Sequence, residues 1–429
     1  MRIFFALVLL TAGLYAAETP FSLVTKENNP NDPTLLVIGG IHGNEPGGYF
    51  AAALLSQYYT IEKGNLWVVP DLNLPSIQVN SRGINGDMNR KFDVCRRDDP
   101  DCQRVEALKK LILNERVTLV LNLHDGHGFY RKKNEGTIFN PKAWGQTCVI
   151  DQCSLDENQT FGNMDRIAKD VSRHLNVTLL QEHHSFNVKN TQTKFVDEAM
   201  RHSLTYYAVT NNKPAFAIET SKHLSSLAQK VFYQLNAIEA FMKIMGIAYS
   251  RSFKLNQKSI ETLLNRNGKV VINNRISLDL ENIRNSLSFI PLESNQNTFA
   301  FTHPLGSVKE RGGSYVLYIG NREVTRLEPE RFNNSNCASV VPFEVDGALK
   351  NVKIASGTDV NADFRVKADA NLRVNIIGYT VPETRNENGS LVKIGDLNPN
   401  FSVDRTKRCF RVELYRDDSF CGMVTVHFK

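Results

Sequence analysis

Apolar and polar positions follow two different rhythms along this chain, and the change falls near residue 250. Before it, short and nearly unbroken apolar runs stand at residues 34–38 (TLLVI), 66–69 (LWVV), 117–123 (VTLVLNL) and 215–219 (AFAIE). Runs of this length are too brief for helices, and their continuous apolar character predicts strands covered on both faces. Helical spacing fills the gaps. Residues 47–58 are rich in Ala and Leu; Val105, Leu108, Leu111 and Ile112 share one face of 101–114; Met164, Ile167, Val171 and Leu175 do so in a third segment. A long segment, 223–245, places Leu224, Leu227, Val231, Leu235 and Ile238 together. Strands alternating with amphipathic helices predict a three-layer α/β/α domain around a largely parallel or mixed sheet.

After residue 251 one short helix (259–265) precedes strand-like runs at 269–279, 286–292 and 314–319, separated by Gly- and Asn-rich turns. That texture predicts a small α+β or mostly β unit. From residue 333 onward the runs are short and alternating: 352–354, 364–366, 372–377, 410–414 and 423–428, with turns such as Asn386-Glu387-Asn388-Gly389 between them. Their spacing predicts an all-β, immunoglobulin-like sandwich. The predicted division is 1–17, 18–250, 251–332 and 333–429.

Composition narrows the picture at three points. The chain has 429 residues, 41% apolar and 22% charged, which suits two to four folded domains and excludes a disordered chain. A formal net charge of +6 is too small for its size to mark a nucleic-acid binder. The one long apolar run is MRIFFALVLLTAGLYAA at residues 1–17: Arg2 gives a positive start, Ala16 and Ala17 a small-residue cleavage site. The run is too short to span a bilayer, so it predicts an exported, periplasmic protein with no membrane span after cleavage. Seven cysteines fit that compartment. Cys95/Cys102 and Cys148/Cys153 are close enough to close short loops, Cys409 and Cys421 fall on predicted neighbouring strands, and an odd number leaves at least one thiol, Cys337 among the candidates, unpaired.

Candidate chemistry gathers at the ends of the predicted strands, where open α/β sheets bind ligands. The first strand runs into Gly39-Gly40-Ile41-His42-Gly43-Asn44-Glu45, and the 117–123 strand into His124-Asp125-Gly126. His42 and Glu45, three apart, can reach one cation, and His124 completes a His₂Glu set of the kind that holds a catalytic zinc with a water. Arg82 and Arg90 suit anionic or carbonyl groups, and Asn89 adds an amide. Glu219 ends the 215–219 run, where a carboxylate can act as general base or cap a following helix. The adjacent His183 and His184 read as structural, facing opposite sides of a strand. Asp156-Glu157-Asn158-Gln159-Thr160 fits an acidic-residue-extended glycosylation sequon and reads equally as a polar loop.

In order, GGIHGNE, Arg82, DMNRKF, LNLHDG and AIET resemble the motifs of M14-type zinc carboxypeptidases. With the leader, the appended units and the HDGHG segment, the chain is more closely similar to the peptidoglycan D,L-carboxypeptidases that set helical cell shape in Campylobacter and Helicobacter. The resemblance implies one zinc per chain on His42, Glu45 and His124, with Glu219 as base and Arg82 stabilising the oxyanion. It implies that Asn89 and Arg90 hold the terminal carboxylate of a muropeptide, and that Arg82 also touches the substrate by polarising the scissile carbonyl. The bond cut would free meso-diaminopimelate from the stem tripeptide, and His127, Trp144, Thr205 and Tyr206 are candidates for contacting that residue's second head. His127 is also an alternative to His124 as ligand. Cell-shape proteins are implied partners of the two later units. One departure is that residues 194–197 (KFVD) lack the Tyr that digestive-type members carry ahead of the base. The rival reading is an N-acyl amino-acid deacylase of the aspartoacylase and succinylglutamate desuccinylase type, which shares HGNE and the Asn-Arg pair. A wall-binding protein with a vestigial site is the non-enzymatic alternative.

Overall fold

The structure, a computed structural model, describes residues 20–337, 339–382 and 384–429. The leader predicted at 1–17 lies outside them. The central sheet has seven strands in the order Val24–Glu27, Asn65–Val69, Thr34–Ile38, Val117–Gly126, Ala215–Ser221, Thr147–Ile150 and Asn187–Asn190. The four strands read from apolar runs form its parallel centre, each buried on both faces. Three further strands were not legible. Val24–Glu27 alternates half-buried and exposed residues and pairs antiparallel at one edge. Asn187–Asn190 is half-buried throughout, and Thr147–Ile150 is only four residues long and runs antiparallel to Ala215–Ser221. The sheet is therefore mixed.

Helices Pro46–Tyr58, Met164–Val177 and Leu227–Ile244 pack on one another and on the sheet, while Cys102–Ile112 and Leu204–Thr210 cover central strands in the other layer. Local chemistry sets their starts. Pro46 opens the first helix, where its missing N–H costs nothing. Asn163 and Ser226 cap helices Met164–Val177 and Leu227–Ile244 by accepting the N–H groups of Arg166 and Gln229. Gly48 lets the first helix lie directly on the sheet, since a Cβ there would stand 2.7 Å from the Leu123 carbonyl oxygen.

The chain leaves Thr34–Ile38 for Asn65–Val69 on one side, then crosses back to Val117–Gly126 on the other. The carboxyl ends of Thr34–Ile38 and Val117–Gly126 therefore flank a topological switch point, which is where α/β sheets place ligands. His42 and His124 follow from these two ends.

Beyond the sheet, Gln257–Leu264 packs on Leu227–Ile244 and leads into a three-stranded and a four-stranded sheet. The run 269–279, read as one strand, is a hairpin of Lys269–Ile272 and Ile276–Asp279. Asn273 and Asn274 adopt positive φ between them (53° and 55°), the turn conformation that asparagine tolerates. Two more four-stranded sheets enclose the last core, from Val341 to Phe428. Most of the other buried apolar side chains form one continuous cluster reaching from Phe21 through Leu327, and it also takes in Val403, Tyr415, Phe420 and Met423.

Cys95 and Cys102 are bonded, as are Cys337 and Cys421, 84 residues apart. Cys148, Cys153 and Cys409 are free. The loop predicted between Cys148 and Cys153 is not closed, because Cys148 is buried within Thr147–Ile150 while Cys153 is exposed beyond its end. Cys409 does lie on a strand neighbouring that of Cys421, but the register sets it opposite His427. Cys337 is thus paired and not the odd thiol.

Candidate active site

The glycine-rich turn after Thr34–Ile38 brings His42 and Glu45 to the start of helix Pro46–Tyr58. Gly43 is the residue this requires: a Cβ there would fall 2.1 Å from backbone atoms of Ser76. His124 arrives from Val117–Gly126, with its Nδ1 2.9 Å from Glu45 Oε2. His42 Nδ1 lies 3.1 Å from that same oxygen, and the rings of the two histidines are 5.0 Å apart. All three side chains are buried, and one ligand atom from each lies within 4.8 Å of the others. His127, by contrast, is exposed and faces His223 edge-to-face at 4.7 Å. The cluster is therefore built with His124.

Asp87, quoted only as part of DMNRKF, proves central. Its Oδ1 lies 2.8 Å from His42 Nε2 and accepts the Asn89 N–H at 2.9 Å, while its Oδ2 accepts Arg82 Nε and Nη2 at 3.0 and 2.9 Å. A carboxylate on Nε2 fixes the imidazole so that the buried Nδ1 faces Glu45. This is the arrangement of a histidine ligand steadied by an outer carboxylate. Electrostatics agree. Burial alone lowers the His42 pKa, but the Glu45 charge and the bonds to Asp87 and Glu45 outweigh it and raise it to about 9. Against desolvation, the two imidazoles hold Glu45 well below the usual carboxylate range. The cluster attracts positive charge, and its His, Glu, His donors fit a divalent metal.

The loop carrying Arg82, Asn89 and Arg90 is pinned at several points. Ser76 Oγ accepts the Ile84 N–H at 3.1 Å, Lys91 pairs with Asp99 and Asp101 at 2.6 and 2.7 Å, and Cys95–Cys102 closes the far end. Arg82, 46% exposed, also reaches Glu45 Oε1 at 3.2 Å. Asn89 Oδ1 accepts the Leu204 N–H at 2.9 Å, which leaves its NH₂ for a ligand. Arg90 Nη1 donates to the Asn89 carbonyl at 2.9 Å.

Glu219 and His124 are direct register partners on adjacent parallel strands, so their side chains leave the same face of the sheet. Desolvation pushes the Glu219 carboxyl up to about 8, and the nearby Glu45 charge adds to the effect. Positive charge at the three-donor cluster works the other way and favours the ionised base.

One cavity of about 310 Å³ collects these groups. His42, Glu45, His124, Glu219, Arg82, Asn89 and Arg90 line it, together with His127, Trp144 and Thr205. Trp144 carries the Lys189 ammonium 4.2 Å from its ring centroid. Tyr206 is not among the lining residues: it sits one position after Thr205 in Leu204–Thr210, turned about 100° around the helix. His183 and His184 are not on a strand but in the turn Glu182–His184, where buried His184 bonds Tyr233 Oη at 3.0 Å. Asn158 lies in an exposed turn. Besides Asp87, sequence reasoning missed Lys222, 3.4 Å from Glu45 Oε1, and Asn122 on the cavity floor. Lys222 stands three residues after Glu219 and Asn122 two before His124, so strand alternation was the available signal for Asn122.

Comparison with known proteins agrees with this geometry. Residues 5–265 match the peptidase family M99, described as the catalytic part of carboxypeptidases controlling helical cell shape, and residues 334–429 match the C-terminal domain of metallo-carboxypeptidase. Comparison with curated proteins gives no match. The crystal structure of apo Csd4, a cell shape determinant of Helicobacter pylori, is 34% identical over 95% of this chain and 100% of its own, with a TM-score of 0.90. Its tripeptide-bound form matches at the same identity and coverage with a TM-score of 0.89. The form bound to mDAP, described as a D,L-carboxypeptidase, also shares 34% identity and has a TM-score of 0.90. The chain is a metallocarboxypeptidase and belongs to the M99 family of carboxypeptidases controlling helical cell shape.

Proposed function

We propose that this chain is a zinc-dependent peptidoglycan D,L-carboxypeptidase that removes meso-diaminopimelate from the stem tripeptide, leaving a dipeptide stem, and acts in the periplasm. The observation that carries this reading is the single cavity uniting a His₂Glu donor set, a carboxylate base, Arg82 and the Asn89–Arg90 pair. Similarity over nearly the whole chain to Csd4, solved with a tripeptide and with mDAP, supports the substrate and weighs against the deacylase reading. The division into units 18–250, 251–332 and 333–429 belongs to the same proposal.

His42, Glu45 and His124 would hold zinc, which supplies a Lewis acid and an activated water at neutral pH. Glu219 takes the proton of the attacking water and returns it to the leaving amine. Arg82, at the cavity wall, stabilises the negative oxygen of the tetrahedral carbon, a contribution typically worth about 3–4 kcal/mol per donor. Asn89 and Arg90 grip the free carboxylate of the substrate, so only a terminal residue fits. Asp87 keeps His42 in the required tautomer and anchors Arg82.

Incubation of the purified chain with defined muropeptides, read by mass spectrometry, tests the reading. Loss of diaminopimelate from tripeptides but not from tetra- or pentapeptides is expected, with about one equivalent of zinc by elemental analysis. Glu219→Ala should lower kcat by roughly 10²–10⁴-fold with zinc content and melting temperature retained. Hydrolysis of acetyl-aspartate or succinyl-glutamate instead, or full activity without metal, would overturn it.

A further inference from the structure

The segment 85–91, which carries Asp87, Asn89 and Arg90, is tied at both ends to one buried carboxylate. Asn85 Nδ2 donates to Asp101 Oδ1 at 3.1 Å, and Lys91 Nζ donates to Asp101 Oδ2 at 2.7 Å. Asp101 is 1% exposed and immediately precedes helix Cys102–Ile112, yet its carboxylate accepts no N–H of that helix. An aspartate in that position ordinarily caps the helix, so here the group is committed to the loop instead. The Lys91 ammonium has two further acceptors, Asp99 Oδ2 at 2.6 Å and the Asn85 carbonyl at 2.8 Å. Its three protons are thereby used, and the side chain is 12% exposed. Lys91 follows Arg90 in the chain but does not line the cavity, so it holds the segment without touching substrate.

Both aspartates lie inside the ring closed by Cys95–Cys102. Asp101 is fixed from the other side by its helix, whose Val105, Leu108 and Ile112 are buried. Asp99 lies outside that helix. It ends a stretch in which residues 93, 94 and 96–98 are exposed, and its backbone bonds run to Arg96 and Cys102, within the same ring. The cystine therefore decides where Asp99 stands relative to Lys91. Both cysteines are half-buried, so a small thiol reaches them from solvent.

We propose that Cys95–Cys102 is a redox-sensitive clip on the grip for the substrate's terminal carboxylate, with Lys91 as the positioning residue that transmits its state. An external dithiol opens the clip by thiol–disulfide exchange. One thiolate attacks a cystine sulfur, the second thiol resolves the mixed disulfide, and two cysteine thiols and the disulfide of the reductant result. Asp99 then leaves Lys91, the segment 85–91 keeps its Asp101 contacts alone, and Asn89 and Arg90 lose their fixed separation from the three-donor cluster. Small displacements of a group that positions substrate are enough to weaken its hold. His42, Glu45 and His124 stand on other elements, so the metal is retained. The inference rests on the activity proposed above and adds a control to it.

The test uses the metal-loaded full chain and the stem tripeptide, with steady-state kinetics, zinc analysis and thermal melts. Cys95→Ser/Cys102→Ser should raise KM by roughly three- to tenfold, with kcat within about twofold and zinc unchanged. Lys91→Met should raise KM by about tenfold, as for losing a hydrogen bond to a charged group, and Lys91→Arg should restore most of the difference. Joining Lys91→Met to the Cys95→Ser/Cys102→Ser change should cost no more than Lys91→Met alone, because the clip acts through Lys91, whereas independent structural losses add. Anaerobic dithiol treatment of the wild-type chain, followed by removal of the reagent and restoration of zinc, should reproduce the higher KM and reverse on reoxidation. The same treatment should leave the Cys95→Ser/Cys102→Ser variant unchanged, which controls for Cys337–Cys421. If that variant melts below the assay temperature, the treated wild-type chain supplies the measurement. An unchanged KM, additive losses, unfolding on reduction, or a fall in kcat that tracks zinc loss overturns the inference alone. A wild-type chain that leaves the tripeptide intact overturns the activity reading and this inference with it.

Discussion

At the scale of single residues, the environment decides what each titratable group can offer. Asp87 holds Nε2 of His42 at 2.8 Å and turns its buried Nδ1 towards Glu45. A histidine far from the site shows the opposite case. His303 is 6% exposed, accepts the Leu305 N–H at 3.1 Å and is pushed down to about 4 by burial, with Arg322 adding to the effect. Its unfolded pKa is about 6.5, so between that value and about 4 the unfolded chain binds the proton first. The stability due to neutral His303 is fully present above the window and is lost as pH falls through it. Denaturant unfolding measured from pH 7 to pH 4 should therefore show a loss that His303→Gln flattens by on the order of 2–3 kcal/mol. A variant with an unchanged pH profile would remove His303 as the cause. His42, His124 and Glu219 were legible in the sequence because they stand at or just beyond the ends of apolar runs, and Glu45, Arg82 and Arg90 because they fall in the motifs GGIHGNE and DMNRKF or between them. Asp87 was on view in DMNRKF but had no role, since its bond to His42 joins two loops 45 residues apart.

At the scale of elements, the apolar runs located the four central strands to within a few residues, because strands buried on both faces have few polar interruptions. Edge strands carry no such pattern, and Val24–Glu27 and Asn187–Asn190 were missed for that reason. The spacing between layers is set by residues that lack side chains. Gly48→Ala would drive a Cβ against the Leu123 carbonyl, a backbone atom of the strand that carries His124. The expected cost is about 1–3 kcal/mol, with weaker metal retention as His124 shifts. Gly395→Ala, with nothing within 4 Å of the added atom, should leave both unchanged. Differential scanning fluorimetry and metal analysis on the pair would expose an error if the two variants behaved alike.

At the scale of the whole molecule, the later units are bound to the first more closely than the change of rhythm near residue 250 suggested. Val403, Tyr415, Phe420 and Met423 enter the cluster that begins at Phe21. Arg411 donates to the carbonyls of Ser288 and Phe289 at 3.2 Å each, and Arg275 Nη1 donates to those of Ser335 and Cys421 at 2.7 and 2.8 Å. Such contacts join residues 60 to 146 positions apart, and local periodicity carries no information on them. Removal of residues 334–429 should therefore lower the melting temperature by several degrees and expose apolar surface, measurable by dye binding, although the cavity lies entirely upstream. An unchanged melting temperature would show the clusters to be energetically separate.

The position of one strand bears on how the protein is made. Ser419–Phe428 lies between Ser356–Val360 and Cys409–Arg416 in its sheet, inside the layer and not at its edge. Both partners precede it in the chain, so each presents an open hydrogen-bonding edge until residue 428 has left the ribosome. The sandwich cannot assemble progressively behind the growing chain. It closes only after synthesis has passed this strand, and a stop codon just before Ser419 would leave two unpaired edges exposed to aggregation.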